Sequence, residues 1–116
     1  MKYEELTPIT REELNMALMG SKPDEAARAI LRMALHEPDL AWAETKCLAA
    51  LRDSRPEVKA AAITALGHLA RIHHALIHPA VVDELRSLQD DPRFAGLAED
   101  ALDDVSMFAS SQTRAS

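Results

Sequence analysis

The chain has 116 residues, among them 21 Ala and 15 Leu but only three Gly and four aromatic residues. Ala, Leu, Glu and Arg suit helices, and too few β-branched and aromatic residues remain for a sandwich, a barrel or a Rossmann-type sheet. A formal net charge of −6 argues against nucleic-acid or anionic-membrane binding and favours a basic protein partner.

Six helices are predicted from capping residues and apolar periodicity. Thr10 and Glu13 form a capping box that starts the first helix, and Gly20 ends it. Ser21, Asp39 and Ser54 are predicted to cap the second, third and fourth helices. With their caps, the helices span about residues 10–19, 21–36, 39–52, 54–72, 79–88 and 92–108.

One domain is predicted over residues 1–108, followed by a disordered tail at 109–116, which has no apolar periodicity. The N-terminal residues contain no apolar stretch, so we expect no secretory signal. A single cysteine leaves no internal disulfide and suits a reducing compartment. No apolar run is long enough to span a membrane. We therefore expect a cytoplasmic protein.

An internal repeat is the most informative feature of the chain. Ser21-Lys-Pro-Asp24 recurs as Ser54-Arg-Pro-Glu57 and, more loosely, as Asp90-Asp-Pro-Arg93, at offsets of 33 and 36 residues. Each copy is predicted to open the second helix of a hairpin, and this period is typical of an α-solenoid. The predicted fold is all-α, a short solenoid of about three helix hairpins.

The segment Asp53–Leu69 resembles the second helix of a HEAT repeat, with an Asp in the turn followed by Val-Lys and then Ala-Leu-Gly. The third repeat keeps the Asp and several Ala and Leu positions but has Phe94-Ala95 in place of Val-Lys. The resemblance covers about residues 21–108 and is specific in the middle repeat. It implies a protein-binding scaffold with no activity of its own.

The chain also resembles, more weakly, a group of small bacterial HEAT-like proteins, some of which are immunity proteins of contact-dependent or polymorphic toxin systems. The residues that carry this likeness are Trp42, Cys47-Leu48, 65–72 and 96–105. The resemblance implies a non-enzymatic protein that binds and neutralises a cognate toxin domain. A generic HEAT-repeat adaptor is the alternative.

Residues with catalytic or metal-binding chemistry are few. Cys47 falls on the apolar face of the third helix, where a thiol is a common core residue. Four histidines lie within eleven residues: His68, His73, His74 and His78. Pro79 argues against a helix there, so they are interpreted as solvated, and a metal-binding or enzymatic role for the cluster is a remote alternative. No catalytic residue, cofactor or metal is predicted.

All of the net charge falls in the third repeat, because residues 79–108 hold eight carboxylates and two arginines. Asp100 and Asp104 are four residues apart, as are Glu99 and Asp103, and like charges at this spacing destabilise a helix slightly. The carboxylates form either a solubilising face or a docking surface for a cationic partner.

The repeat register predicts where that surface lies. An offset of 36 residues aligns Thr64 with Asp100 and His68 with Asp104. In HEAT-like solenoids the second helices line the concave face. The resemblance therefore implies one groove in which Thr64, His68 and Arg71 adjoin Asp100, Asp103 and Asp104. Trp42 either packs between neighbouring first helices or anchors an interface. The predicted partner-binding residues are Thr64, His68, Arg71, Glu99, Asp100, Asp103, Asp104 and Trp42.

Overall fold

The computed structural model describes residues 6–109, and every regular element in that range is helical. No helix in that range is both long and apolar enough to cross a membrane. The predicted all-α fold is therefore confirmed. The α-helices are α1 (Arg11–Met19), α2 (Pro23–His36), α3 (Leu40–Ala50), α4 (Pro56–His73), α5 (Ala80–Leu88) and α6 (Ala95–Asp104), and a π-helical segment (Val105–Ala109) follows α6.

The helices form three hairpins that stack in two layers. Helix α1 packs on α2, α3 on α4 and α5 on α6, while the most extensive contacts join α2 to α4 and α4 to α6. The second helix of each hairpin thus lies beside the second helix of the next one. This arrangement confirms a short helical repeat with six α-helices in the described range.

Helix α4 is the centre of the core. Its apolar stripe, including Val58 and Leu69, is buried. The helix is also buried on two further sides, because α2 and α6 flank it and α3 packs on it. Small residues make this possible: a Cβ atom on Gly67 would lie only 3.3 Å from the Cα atom of Ala101 on α6. The high alanine content thus permits close helix packing.

Two of the predicted caps are confirmed. Thr10 accepts a hydrogen bond from the Glu13 backbone N–H at 3.0 Å, and the Glu13 carboxylate accepts from the Thr10 N–H at 3.0 Å. Asp39 accepts from the Trp42 N–H at 3.1 Å at the start of α3. Both caps depend only on residues three apart, so the sequence was sufficient to predict them.

The caps predicted at Ser21 and Ser54 are wrong. The N-cap positions of α2 and α4 are occupied by Lys22 and Arg55, which make no side-chain capping hydrogen bond. In each case proline is the first helical residue, where its fixed φ and missing N–H are tolerated. The residue before proline is held extended and becomes the N-cap.

The start of the last helix also differs from the prediction. Residues 91–94 form a turn, closed by the Phe94 N–H donating to the Asp91 carbonyl at 2.9 Å, and α6 begins only at Ala95. The Asp91 side chain accepts from the Arg93 N–H at 3.0 Å, and such local bonds compete with helix formation.

The C-terminal end of the described chain is helical for longer than the tail prediction allows. Ala109, predicted as the first residue of the tail, is buried within the π-helical segment. The rest of the predicted tail, residues 110–116, lies outside the described residues.

Candidate functional site

A groove of about 210 Å³ runs between α4 and α6 on the layer of second helices. Its lining consists of Thr64, His68, Leu97, Asp100, Ala101 and Asp104. The structure therefore brings together four of the predicted site residues, the same four that the 36-residue offset aligns. Because the helices lie close together, Leu97 and Ala101 add apolar surface between the polar side chains.

Gly67 determines where one carboxylate of the groove can lie. A Cβ atom at this position would be 2.8 Å from the Asp104 Oδ2 atom. The Asp104 side chain occupies this space and is only 25% exposed. The glycine therefore allows an acidic side chain to lie against the α4 backbone and be largely covered by protein.

Arg71 and His68 lie at the end of the groove nearest Asp104. One guanidinium nitrogen of Arg71 is 4.0 Å from Asp104 Oδ2, and another donates to His68 Nδ1. A guanidinium can only donate, so His68 accepts as a neutral imidazole. Burial, followed by the charge of Arg71, lowers the pKa of His68, and the charge of Asp104 opposes this shift. At neutral pH the imidazole therefore adds no positive charge.

The electrostatic character of the groove is negative. Asp100 is exposed, and no cation from residues 6–109 lies within 4.0 Å of its carboxylate. Asp104 has Arg71 as its cation in the described chain, at a distance longer than a hydrogen bond. Two carboxylates one helical turn apart thus face a partly apolar groove with one cation at its end.

The prediction that Asp103 lies in the groove is wrong, and Glu99 is not part of the groove either. Asp103 points toward α5, where it lines a wider depression of about 460 Å³. Consecutive helix positions are about 100° apart, so Asp103 and Asp104 face different neighbours. Glu99 is exposed and lines neither depression. The other residues around the wider depression are Val82, Arg86, Gln89, Leu102, Val105 and Ser106.

Trp42 lies in the other layer of the molecule, on α3. The guanidinium of Arg11 is 4.2 Å from the centre of the ring, and the Lys46 ammonium is 5.4 Å away. Lys46 also donates to Asn15 on α1 at 2.8 Å. The indole thus packs where α1 meets α3, which matches the first of its two predicted roles and separates it from the groove.

Cys47 is fully buried, as predicted for a core residue. Burial, with a smaller contribution from the charge of Glu44, raises the pKa of the thiol far above its ordinary value. The thiolate is the nucleophilic form of cysteine. The Cys47 side chain is therefore held as a protonated, apolar group in the core.

The four histidines are separated by the fold. His68 lies in the groove, and His74 adopts a left-handed conformation (φ 53°) that ends α4, its ring 5.8 Å from that of Phe108. The interpretation of all four as solvated is wrong for His68, His73 and His78, which are half-buried. Among the described residues, no three His, Cys, Asp or Glu side chains are grouped as a metal ion requires.

Glu44 is a buried charged residue that the sequence analysis missed. Its carboxylate is 1% exposed and accepts hydrogen bonds from the Ile77 N–H at 3.0 Å and the His78 N–H at 2.7 Å. These bonds fasten the loop before α5 onto α3. The available signal was its position four residues after Leu40 and three before Cys47, which places it on the buried face of α3.

Arg55 is a second residue whose role was not predicted. It donates to the Leu18 and Gly20 carbonyls at 2.8 Å each, joining the end of α1 to the start of α4. Asp53 accepts from the Arg55 side chain at 2.9 Å. This hydrogen bonding lowers the pKa of Asp53 to about 2. The pair stabilises the packing of the first hairpin on the second.

Comparisons with known proteins give an informative structural match. No family model and no curated protein matches the chain. A chain of a CDI complex from Cupriavidus taiwanensis LMG 19424, known from a crystal structure, is similar to it with a TM-score of 0.81. The two sequences are 34% identical, and the match covers 93% of this chain and 97% of that one.

Proposed function

Because the chain belongs to the same family as the matched component of the CDI complex, we propose that it is an immunity protein of contact-dependent inhibition. In this role it is a non-enzymatic module that binds a cognate toxin domain and neutralises it in the cytoplasm. The observation that carries the proposal is the 34% identity over nearly the whole length of both chains. Within this proposal we assign its hairpins to the HEAT class, since their second helices stack in register.

A shared fold does not by itself establish a function, so the proposal also needs a suitable surface. The third repeat supplies one, because residues 79–108 carry a charge of −6 from eight carboxylates and two arginines. A surface of this kind steers a basic partner toward the acidic face and excludes acidic partners. A nuclease toxin fits this chemistry, since its phosphate-binding cleft is positively charged and carboxylates can occupy it.

The proposed partner-binding residues centre on the α4–α6 groove, with Asp100 and Asp104 on α6 and Thr64 and His68 on α4. Arg71 borders the groove, and Glu99 and Asp103 extend the acidic surface beyond it on the same helix. Trp42 is not included in the proposed site, because it lies in the other layer. There its ring is in contact with Arg11 of α1 and with Lys46 of α3.

Co-expression in a toxin-sensitive bacterium tests the proposal. The probe is the toxin domain encoded next to the gene for this chain. We expect the wild-type chain to restore growth and to co-purify with the toxin in a stoichiometric complex. Reversing the charge of all four α6 carboxylates, Glu99, Asp100, Asp103 and Asp104, is expected to abolish protection while circular dichroism shows an unchanged helical content.

Two results would count against this function. A toxin that kills equally well with and without the wild-type chain would overturn the immunity role and leave the generic adaptor as the better description. Full protection by the fourfold charge-reversed variant would retain the immunity role and overturn the acidic surface as its basis.

A further inference from the structure

We propose that the α4–α6 groove is a subsite for one arginine or lysine side chain of the partner. The aliphatic stem lies along Leu97 and Ala101, and the charged head lies between Asp100 and Asp104. This inference rests on the proposed function for the identity of the partner, and it reduces the broad acidic surface to one pocket with one occupant.

The lining of the groove has the two parts that a long cationic side chain requires. Arginine and lysine bury an apolar stem while their charged end remains near polar groups. Leu97 and Ala101 offer apolar surface, and Asp100 and Asp104 lie one turn apart on the same helix. A volume of about 210 Å³ is on the scale of one side chain rather than of a helix.

The charges in the groove are not balanced by the described part of the chain. No cation from residues 6–109 lies within 4.0 Å of Asp100. Asp104 is 25% exposed, so a cation that reaches it is less screened by water and salt than on an open surface. Thr64 adds a hydroxyl that can accept a hydrogen bond from the same cation.

Arg71 leaves the hydrogen-bonding capacity of Asp104 open while it partly neutralises the charge. Its guanidinium reaches toward Asp104 from the end of the groove but stops at 4.0 Å, and it donates to His68 instead. The carboxylate therefore lies beside a guanidinium without a direct hydrogen bond. A second guanidinium entering from the partner can form bidentate bonds that Arg71 does not form.

Nuclear magnetic resonance titration of the free protein tests the subsite without any toxin. The probe is Nα-acetyl-arginine amide, and Nα-acetyl-norleucine amide is the uncharged control. We expect the arginine probe at millimolar concentration to shift the resonances of Thr64, Leu97 and Ala101, and the norleucine probe to leave them unchanged.

The matched variants lie on one helix. D100N/D104N removes two charges from the groove, and E99Q/D103N removes two charges just outside it. We expect the first variant to lose the arginine-dependent shifts and the second to bind the probe within about twofold of wild type. Equal loss of the arginine-dependent shifts in both variants would show that the probe responds to the overall negative charge of α6. Shifts of equal size with the norleucine probe would show that the groove binds any apolar side chain. Either result would overturn the inference.

Binding of the toxin domain then distinguishes failure of the subsite from failure of the function. We expect D100N/D104N to weaken toxin binding at least about tenfold, and E99Q/D103N, on the acidic surface outside the groove, to weaken it by a smaller factor. If the wild-type chain binds toxin and the two variants lose equal amounts of affinity, or none, the subsite is wrong and the immunity role stands. If the wild-type chain binds no toxin, the immunity role fails and the arginine titration still decides the subsite.

Discussion

At the scale of single residues, Gly67 links the packing of the core to the chemistry of the groove. Its missing side chain lets Ala101 approach α4 and leaves the space that the Asp104 carboxylate occupies. A glycine in a helix interior destabilises it by about 1 kcal/mol relative to alanine. At Gly67 this loss of helix stability is accompanied by the space that the Asp104 carboxylate occupies.

The variant Gly67→Ala separates the effect of Gly67 on stability from its effect on the groove. We expect its free energy of unfolding to stay within about 1 kcal/mol of wild type, because the gain in helix propensity offsets the tighter contact with Ala101. The flexible end of Asp104, 2.8 Å from the new Cβ atom, must move. Binding of Nα-acetyl-arginine amide, followed by the same titration, should therefore weaken several-fold.

Gly96→Ala is the matched control, since Gly96 is also in a helix and has nothing within 4 Å of the added atom. This variant should be equally or more stable than wild type and should bind the probe normally. If Gly67→Ala also bound the probe normally, the position of Asp104 would not matter for the groove.

Asp53 gives the fold a specific dependence on pH. Hydrogen bonding from Arg55 lowers its pKa to about 2 in the folded state, below the ordinary value of 3.8. The folded state therefore favours the ionised carboxylate, so this contribution is fully present above about pH 4.5 and is lost as the pH falls toward 2. With allowance for its partial exposure, we expect about 1–2 kcal/mol.

Urea unfolding of wild type and Asp53→Asn between about pH 5 and pH 2 measures this contribution. The difference in the free energy of unfolding between the two proteins should be largest near pH 5 and should shrink toward zero at pH 2. A difference that does not depend on pH would assign the role of Asp53 to hydrogen bonding alone.

At the scale of helices and turns, the chain uses the same Asp-x-Arg pairing twice with different consequences. In both turns the arginine side chain is bound by the aspartate two residues earlier. Arg55 also reaches two carbonyls at the end of α1, whereas Arg93 is 66% exposed and makes no such bond to another helix among residues 6–109. Within that range, the first pair alone joins neighbouring hairpins by hydrogen bonds.

We expect Arg55→Ala to reduce the free energy of unfolding by about 2 kcal/mol, because two hydrogen bonds between helices are lost together with an ion pair. Arg93→Ala is the control and should cost less than about 0.5 kcal/mol. Chemical denaturation of both variants provides the comparison. Equal losses would mean that the turn itself, and not the link to α1, is the source of the stability.

The contrast between predicted and observed helix ends has a physical reason. The caps at Thr10 and Asp39 depend on atoms three residues apart, so the sequence contains all the information needed. Lys22 and Arg55 are the N-caps of their helices because a proline follows each of them as the first helical residue. The spacing along α3 indicates the burial of Glu44, but the N–H groups that its carboxylate accepts from lie more than thirty residues away. Local sequence carries no record of that pairing.

At the scale of the whole molecule, the repeat made part of the site predictable. Stacked hairpins of similar length place corresponding turns of the second helices side by side, so an offset of 36 residues predicted that Thr64 and His68 share a groove with Asp100 and Asp104. The same offset did not exclude Asp103, because its direction depends on the rotation of α6 between two neighbours. Repeat length thus predicts which turns meet, and helix rotation decides which side chains face each other.

The position of the charge at one end of the stack leads to a kinetic prediction that rests on the proposed function. The chain outside residues 79–108 is balanced, so a basic toxin domain is drawn toward the third repeat over distances longer than any contact. Salt shortens the range of this attraction to less than about 10 Å above about 0.1 M.

Surface plasmon resonance should show the association rate falling at least about tenfold between about 0.05 M and 0.5 M salt, with a smaller change in dissociation. E99Q/D103N should lower the association rate and its salt dependence, whereas D100N/D104N should mainly speed dissociation. An association rate independent of salt would show that the asymmetric charge of this molecule serves solubility alone.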